Sequence, residues 1–76
     1  QLTCPITQML FKDPVIAEDG VVYERDAIKK WLSENKISPM TRMNISNRLI
    51  SCRIIKNLID DLLKTYPDLL NRQYSM

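Results

Sequence analysis

The alternation of apolar and polar residues predicts a short β-hairpin in the first third of the chain. Val15-Ile16-Ala17 and Val21-Val22-Tyr23 are apolar runs rich in β-branched residues, and Asp19-Gly20 lies between them. An Asp-Gly pair in this position favours a type I′ turn, because both central residues of that turn have positive φ. We therefore expect a two-stranded hairpin with Asp19 and Gly20 at its tip.

A helical periodicity follows directly and extends from Arg25 to about Asn35. One stripe is apolar and consists of Ala27, Ile28, Trp31 and Leu32. The opposite face is charged and carries Asp26, Lys29, Lys30 and Glu34. Such a distribution is typical of an amphipathic helix. Asn35 is the expected end of this helix.

A second apolar stripe at helical spacing begins after Ser51; its members are Ile54, Ile55, Leu58, Ile59, Leu62, Leu63 and Tyr66. Ser51 can cap the start of this helix. Pro67 disfavours a helical conformation for Tyr66 and predicts the end. We interpret the stripe as core, with a dimer surface as the alternative. Residues 68–76 are expected to add a short turn or helix, or to fray.

Two segments lack periodicity and predict loops. Residues 36–47 contain Pro39 and many Ser, Thr and Asn residues, and a short extended piece near Leu49-Ile50 follows. Residues 1–14 combine two prolines with several apolar side chains. An apolar loop of this kind packs on the core or faces a partner. The chain has neither internal repeats nor a Gly/Ser linker.

Composition narrows the possible chemistry. The 76 residues include no histidine, and the two cysteines, Cys4 and Cys52, stand 48 positions apart. A structural zinc site needs about four Cys or His ligands, so this chain alone does not supply one. Neither a Cys-His nor a Ser-His catalytic pair can form. We expect two reduced thiols in an intracellular protein, with a Cys4–Cys52 disulfide as the alternative.

Charge and hydropathy argue against two further classes, nucleic-acid-binding and membrane proteins, although a helical nucleic-acid binder stays as a remote alternative. The net charge is +2, and the basic residues are scattered rather than grouped, which gives no support to nucleic-acid binding. No apolar run approaches the roughly 18 residues of a membrane span, and the first residues do not form a secretory leader. The absence of an initiator Met suggests a domain cut from a longer protein.

Several short motifs in order and register resemble the U-box family of ubiquitin ligases. They are Cys4-Pro5-Ile6-Thr7, Lys12-Asp13-Pro14-Val15, Gly20, Tyr23-Glu24-Arg25, Ile28, Trp31-Leu32, Pro39-Met40-Thr41-Arg42 and Leu49-Ile50, followed by an apolar helix. The resemblance covers about residues 4–63. It implies a small α+β fold, namely a zinc-free, RING-like domain with a β-hairpin, a central helix and a C-terminal helix. Residues 1–76 form one domain, with a helical extension at 64–76.

The resemblance also implies that polar side chains hold the two loops that zinc holds in RING domains. The available side chains are Thr7, Asp13, Tyr23, Glu24, Arg25, Ser38, Thr41, Asn44 and Ser51. Such a network is stabilising only when each member has its partners. Ser51-Cys52 stands where the family usually has Pro-Asn, which predicts a less rigid second loop. This divergence, in a chain rich in Ile, Lys and Asn, also resembles the U-boxes of bacterial effector proteins.

The implied function is that of a ubiquitin-ligase module. U-boxes recruit a ubiquitin-conjugating enzyme charged with ubiquitin and promote transfer to a substrate lysine without a covalent intermediate or a cofactor. The positions that match the docking groove are Ile6, Gln8, Trp31, Pro39, Thr41 and Arg42. Arg42 matches the place of a basic residue that bridges the conjugating enzyme and ubiquitin. Other domains of the full protein would select the substrate.

Each of these residues also has a purely structural interpretation. Ile6 and Trp31 suit a core, Pro39 suits a stiff loop, and Arg42 suits a solvated surface charge. The alternative function is a U-box-like interaction module without ligase activity. The expected location is the cytoplasm, that of the host cell if the protein is a secreted effector.

Overall fold

A three-stranded antiparallel sheet lies at the centre of the computed structural model, which describes residues 2–75. Strands β1 (Pro14–Ile16), β2 (Val22–Glu24) and β3 (Ile50–Ser51) are arranged in the order β2-β1-β3. Val15 of β1 pairs with Tyr23 on one side and Ser51 on the other. Each strand has only two or three residues, so loops make up much of the first 52 residues.

The predicted hairpin is confirmed, but its turn is not type I′. Among residues 2–75, positive φ occurs at Gln8, Gly20 and Arg42 and not at Asp19. The N–H of Gly20 donates to the carbonyl of Ala17 (3.0 Å), and the N–H of Ala17 donates to the carbonyl of Val21 (3.1 Å). This is a three-residue loop that closes with a left-handed glycine (φ 80°). Within this turn, Oδ1 of Asp19 accepts from the N–H of Val21 (2.9 Å).

The central helix, α1 (Arg25–Glu34), is confirmed with Asn35 as its C-terminal cap. The second helix, α2 (Arg53–Thr65), ends before Pro67 as predicted. The prediction that Ser51 caps α2 is wrong. Cys52 occupies the N-cap position without a side-chain cap bond. Ser51 lies in β3, where its hydroxyl accepts a hydrogen bond from Nη2 of Arg25 (2.7 Å).

The core lies between the sheet, α1 and α2. Its largest fully buried side chains include Tyr23, Phe11, Ile28 and Ile59. The apolar stripe of α2 is only partly core: Ile59 is buried, whereas Ile54 is 75% and Leu58 52% exposed. Strand β1 packs against α2, and the apolar stripe of α2 is wider than the surface that buries it.

The C-terminal segment is helical rather than frayed over Pro67–Arg72, which form a 3₁₀ helix. Beyond it, the N–H of Tyr74 donates to the carbonyl of Leu10 (2.9 Å). The side-chain amide of Gln73 donates to the carbonyl of Phe11 (3.0 Å). These bonds attach the extension to the first loop; Met76, also part of the predicted extension, lies outside the described residues. Within 2–75, no helix has the length and apolarity needed to cross a membrane.

Candidate protein-docking site

Two six-residue loops with a common sequence pattern lie on either side of α1. Loop 1 is Cys4-Pro5-Ile6-Thr7-Gln8-Met9, and loop 2 is Ser38-Pro39-Met40-Thr41-Arg42-Met43. Proline, threonine and methionine recur at the second, fourth and sixth positions. This short repeat was missed by the sequence analysis, although the pattern Pro-x-Thr-x-Met was available to find it.

The two loops have the same internal hydrogen bonds. The N–H of the first residue donates to the carbonyl of the sixth, at 3.0 Å in loop 1 and 2.8 Å in loop 2. The fifth N–H donates to the first carbonyl, at 2.8 and 3.1 Å. The threonine hydroxyl accepts from the sixth N–H, at 3.2 and 3.3 Å. Each loop is therefore a closed unit with a fixed shape.

The fifth residue of each loop, Gln8 or Arg42, has a left-handed backbone with φ of 62° or 65°. Non-glycine residues adopt this conformation only where surrounding bonds hold it, as the two closing bonds do here. Two of the predicted site residues therefore occupy equivalent places in the two loops.

The first side chain of loop 2 ties that loop to the hairpin. The hydroxyl of Ser38 donates to Oδ2 of Asp19 (2.6 Å) and accepts from the N–H groups of Met40 (3.0 Å) and Thr41 (2.8 Å). The hydroxyl of Tyr23 donates to the same carboxylate oxygen (2.6 Å). Ser38 and Tyr23 are fully buried. One carboxylate thus joins the hairpin tip, β2 and loop 2.

These contacts shift the acidities of Asp19 and Tyr23. Partial burial raises the pKa of Asp19, but hydrogen bonds from Ser38, Tyr23 and the Val21 N–H outweigh burial and hold the pKa below its usual value. Burial, followed by the bond to the Asp19 carboxylate, raises the pKa of Tyr23 to about 12. At neutral pH the network consists of an ionised carboxylate and two neutral hydroxyl donors.

Cys4, the first residue of loop 1, ties its loop to β2 much as Ser38 ties loop 2 to the hairpin, with a sulfur acceptor in place of the hydroxyl oxygen. Sγ of Cys4 accepts from the N–H of Ile6 (3.4 Å) and from the N–H of Glu24 (3.2 Å). The buried Glu24 carboxylate accepts from the N–H groups of Lys12 (2.8 Å) and Asp13 (2.9 Å). Loop 1 and the segment after it are thereby attached to β2.

Most of the expected polar residues join these networks, but some do not. The Asp13 carboxylate pairs with Nε of Arg25 (2.7 Å). Thr7 and Thr41 bond only within their own loops, and no side-chain bond of Asn44 occurs within residues 2–75. The sequence analysis did not include Asp19 and Cys4 in the network. Its patterns indicate a turn residue for Asp19 and a core thiol for Cys4. Over residues 2–75, no group of three or more His, Cys, Asp or Glu side chains is placed to hold a metal ion.

Between loop 1 and α1 lies an open apolar cleft of about 230 Å³. Ile6, 38% exposed, lies on one side, with Ala27 and Trp31 of α1 on the other. Nε1 of Trp31 donates to the carbonyl of Ile37 (2.7 Å), which fixes the indole ring and connects α1 to the start of loop 2. Ile6 and Trp31 thus form one surface.

The other predicted docking residues do not line this cleft. Pro39 is half-buried, and Thr41 and Arg42 are exposed on loop 2. Gln8 lines a different cavity of about 560 Å³, which it shares with Phe11 and Val22. Its side-chain amide donates to the carbonyl of Pro5 (2.9 Å). The structure therefore does not place Gln8 in the Ile6–Trp31 cleft.

Comparison with known proteins agrees with this architecture. The U-box domain model matches residues 1–66. The chain is 48% identical over 52 residues to zebrafish (Danio rerio) WD repeat, SAM and U-box domain-containing protein 1, with 67% of this chain and 11% of the relative covered. It is 44% identical over 61 residues to Arabidopsis thaliana putative U-box domain-containing protein 58, with 78% and 14% covered.

A third relative is the probable bifunctional E2/E3 enzyme R795 of Acanthamoeba polyphaga mimivirus, 36% identical over 61 residues. That match covers 80% of this chain and 5% of the relative. The chain thus spans a small part of each curated relative, and what is shared is the domain. Since the family model covers most of the chain, and the two loops, hairpin and helices have the expected arrangement, the chain belongs to the U-box family.

Proposed function

We propose that this domain is a ubiquitin-ligase module that binds a ubiquitin-conjugating enzyme in the cleft between loop 1 and α1. The observation that carries the proposal is the apolar surface formed by the exposed Ile6 and the half-buried Trp31. The closed loop 1 holds Ile6, and a hydrogen bond from its indole N–H holds Trp31. Family membership supports the same assignment. Apolar and aromatic anchors on a rigid support are typical of the centre of a protein interface.

The proposed mechanism is positional. The chain has no histidine, and Sγ of Cys4 is fully buried beneath loop 1. Cys52 lies half-buried at the start of α2, beside Ser51 and Arg53. None of these residues lines the cleft. Neither thiol lines the cleft, so neither suits the role of ubiquitin acceptor. The domain would instead accelerate transfer by holding the thioester of the docked enzyme in a reactive orientation.

Arg42 is the proposed activating residue. Its guanidinium is exposed, and its left-handed backbone is fixed by the bond from its N–H to the carbonyl of Ser38 (3.1 Å). A planar group with five N–H donors suits a contact with two proteins at once. If Arg42 contacts both proteins only when ubiquitin is folded back on its carrier, it stabilises the reactive arrangement and not the free one.

Replacing Ile6 by Ala tests the proposal, with Ile54→Ala as the matched control because Ile54 is also exposed but lies on α2. Discharge of loaded conjugating enzymes onto free lysine should fall strongly in Ile6→Ala, since truncating an interface anchor costs about 1 to 4 kcal/mol of binding. Ile54→Ala should remain active. An interaction module without ligase activity would give no accelerated discharge with the wild-type domain across the enzyme panel.

Thermal unfolding of the same variants tests whether Ile6 is a docking residue or a core residue. Ile6 is 38% exposed, so Ile6→Ala should unfold close to the wild-type temperature. A collapse of the unfolding temperature would show that Ile6 is a core residue.

A further inference from the structure

Two oppositely charged side chains flank the docking cleft. Lys30 and Glu34 line it together with Ile6, Ala27 and Trp31, and both are exposed. They lie on the same face of α1, four residues apart, and are therefore about 6 Å apart along the helix axis. The cleft consequently has a positive rim at the middle of α1 and a negative rim at its C-terminal end.

These two charges form no ion pair within the part of the chain that the structure describes. The ion pairs found within residues 2–75 are Arg25–Asp13 and Lys56–Asp60, and neither Lys30 nor Glu34 takes part in one. A lysine that precedes a glutamate by four residues is the less favourable order for an ion pair within a helix. Both charged groups are thus available to a protein that docks in the cleft.

We propose that Lys30 and Glu34 determine which conjugating enzymes this domain accepts. The preferred enzyme would present a carboxylate opposite Lys30 and a basic side chain opposite Glu34. The apolar contacts of Ile6 and Trp31 do not discriminate by charge, whereas like charges across an interface rim disfavour the wrong partner and slow its association. This inference rests on the proposed function and names the chemistry of its partner.

The test reverses the polarity of the rim without changing its total charge. The double variant Lys30→Glu/Glu34→Lys keeps the net charge of +2. It also places glutamate before lysine, which is the favourable order, so the stability of α1 should not fall. A matched control is the double swap Lys56→Asp/Asp60→Lys on α2, an exposed pair with the same spacing and order.

Binding is measured by titration against a panel of purified, unloaded conjugating enzymes of known surface charge. For enzymes that bind the wild-type domain best, the rim swap should raise the Kd about tenfold. Enzymes with the opposite charge pattern should bind the swapped domain more tightly than the wild type. Both changes should shrink at high salt, because exposed charges are screened there. The α2 swap should leave the order of preference unchanged.

Two results overturn the inference. One is an unchanged order of preference in the rim swap, and the other is an equal loss for every enzyme, which would make the pair a general contact. Ile6→Ala separates this failure from that of the proposed function. If Ile6→Ala weakens binding while the rim swap does not alter selectivity, the docking site stands and only the role of Lys30 and Glu34 is lost.

Discussion

Oδ2 of Asp19 and Oγ of Ser38 lie 2.6 Å apart, although they belong to the hairpin tip and to the distant loop 2. The same Ser38 oxygen accepts two backbone N–H groups of its own loop. A single hydroxyl therefore uses its donor to hold the loop against the hairpin and its lone pairs to close the loop.

Ser38→Ala should cause a large loss of stability. It leaves the N–H groups of Met40 and Thr41 without their acceptor and removes one donor from the Asp19 carboxylate. We expect a loss of about 2 to 4 kcal/mol, a large part of the roughly 4 to 11 kcal/mol expected for a domain of this size. Urea denaturation gives the value.

Two further variants test whether the loss of stability in Ser38→Ala comes from its hydrogen bonds. Ser38→Cys should lose less, because Cys4 accepts N–H groups in the equivalent place of loop 1. Ser33→Ala, at an exposed site on α1 with one bond to the Lys30 carbonyl, should change stability by no more than about 0.5 kcal/mol. Equal effects at Ser33 and Ser38 would show that the network does not stabilise the domain.

Stability should decline at high pH through Tyr23. Its pKa is raised to about 12 in the folded protein, so the stabilisation is complete below the unfolded pKa near 10 and is lost between pH 10 and 12. The expected loss is on the order of 2 kcal/mol. Unfolding free energies of the wild type and Tyr23→Phe are compared over this range. If the unfolding free energy of the wild type and of Tyr23→Phe declined in parallel, Tyr23 would not be the cause of the decline.

Glu24→Gln should destabilise the attachment of loop 1. Each carboxylate oxygen of Glu24 accepts one backbone N–H, from Lys12 or Asp13, in a buried site. The amide group of glutamine can replace only one acceptor and turns its NH₂ group towards the other N–H. We expect a loss of about 1 to 3 kcal/mol in urea denaturation. Glu34→Gln, which is exposed, is the control and should unfold like the wild type.

Arg42→Ala should separate activation from docking. If the guanidinium bridges the conjugating enzyme and its ubiquitin, affinity for the unloaded enzyme should be nearly unchanged. Single-turnover discharge should slow about 10- to 150-fold, since charge-assisted hydrogen bonds of roughly 1.5 to 3 kcal/mol are lost from the reactive state alone. Arg48→Ala, at another exposed position, is the control. Equal losses in affinity and in discharge would make Arg42 a simple docking contact.

The fold should be insensitive to metal chelators. The chain has no histidine, and its two cysteines lie on different elements, one in loop 1 and one at the start of α2. Circular dichroism should be the same with and without EDTA, and elemental analysis should find no stoichiometric zinc. A zinc-dependent RING domain serves as the positive control. A loss of helical signal in EDTA would contradict the cross-bracing by Asp19, Ser38, Cys4 and Glu24.

Local patterns in the sequence were sufficient for the hairpin, for both helices and for the end of α2. Their signals are short in range: β-branched runs around Asp19-Gly20, apolar stripes at helical spacing, and Pro67. The same local logic was wrong for the turn type and for Ser51. In both cases the side chain bonds to a group that is distant in the sequence: Asp19 accepts from Ser38 in addition to the nearby N–H of Val21, and Ser51 accepts from Arg25.

The sequence by itself determined the chemistry that is available, because a chain without histidine and with two separated cysteines cannot build a zinc site alone. It also identified Ile6 and Trp31 as candidates for docking through family resemblance. Only the tertiary structure decided that these two side chains share a cleft, that Gln8 lies outside it, and that Lys30 and Glu34 flank it. The physical reason is that the packing of loop 1 against α1 decides which side chains become neighbours. Ile6 and Trp31 are 25 positions apart, and no local sequence pattern indicates that they share a surface.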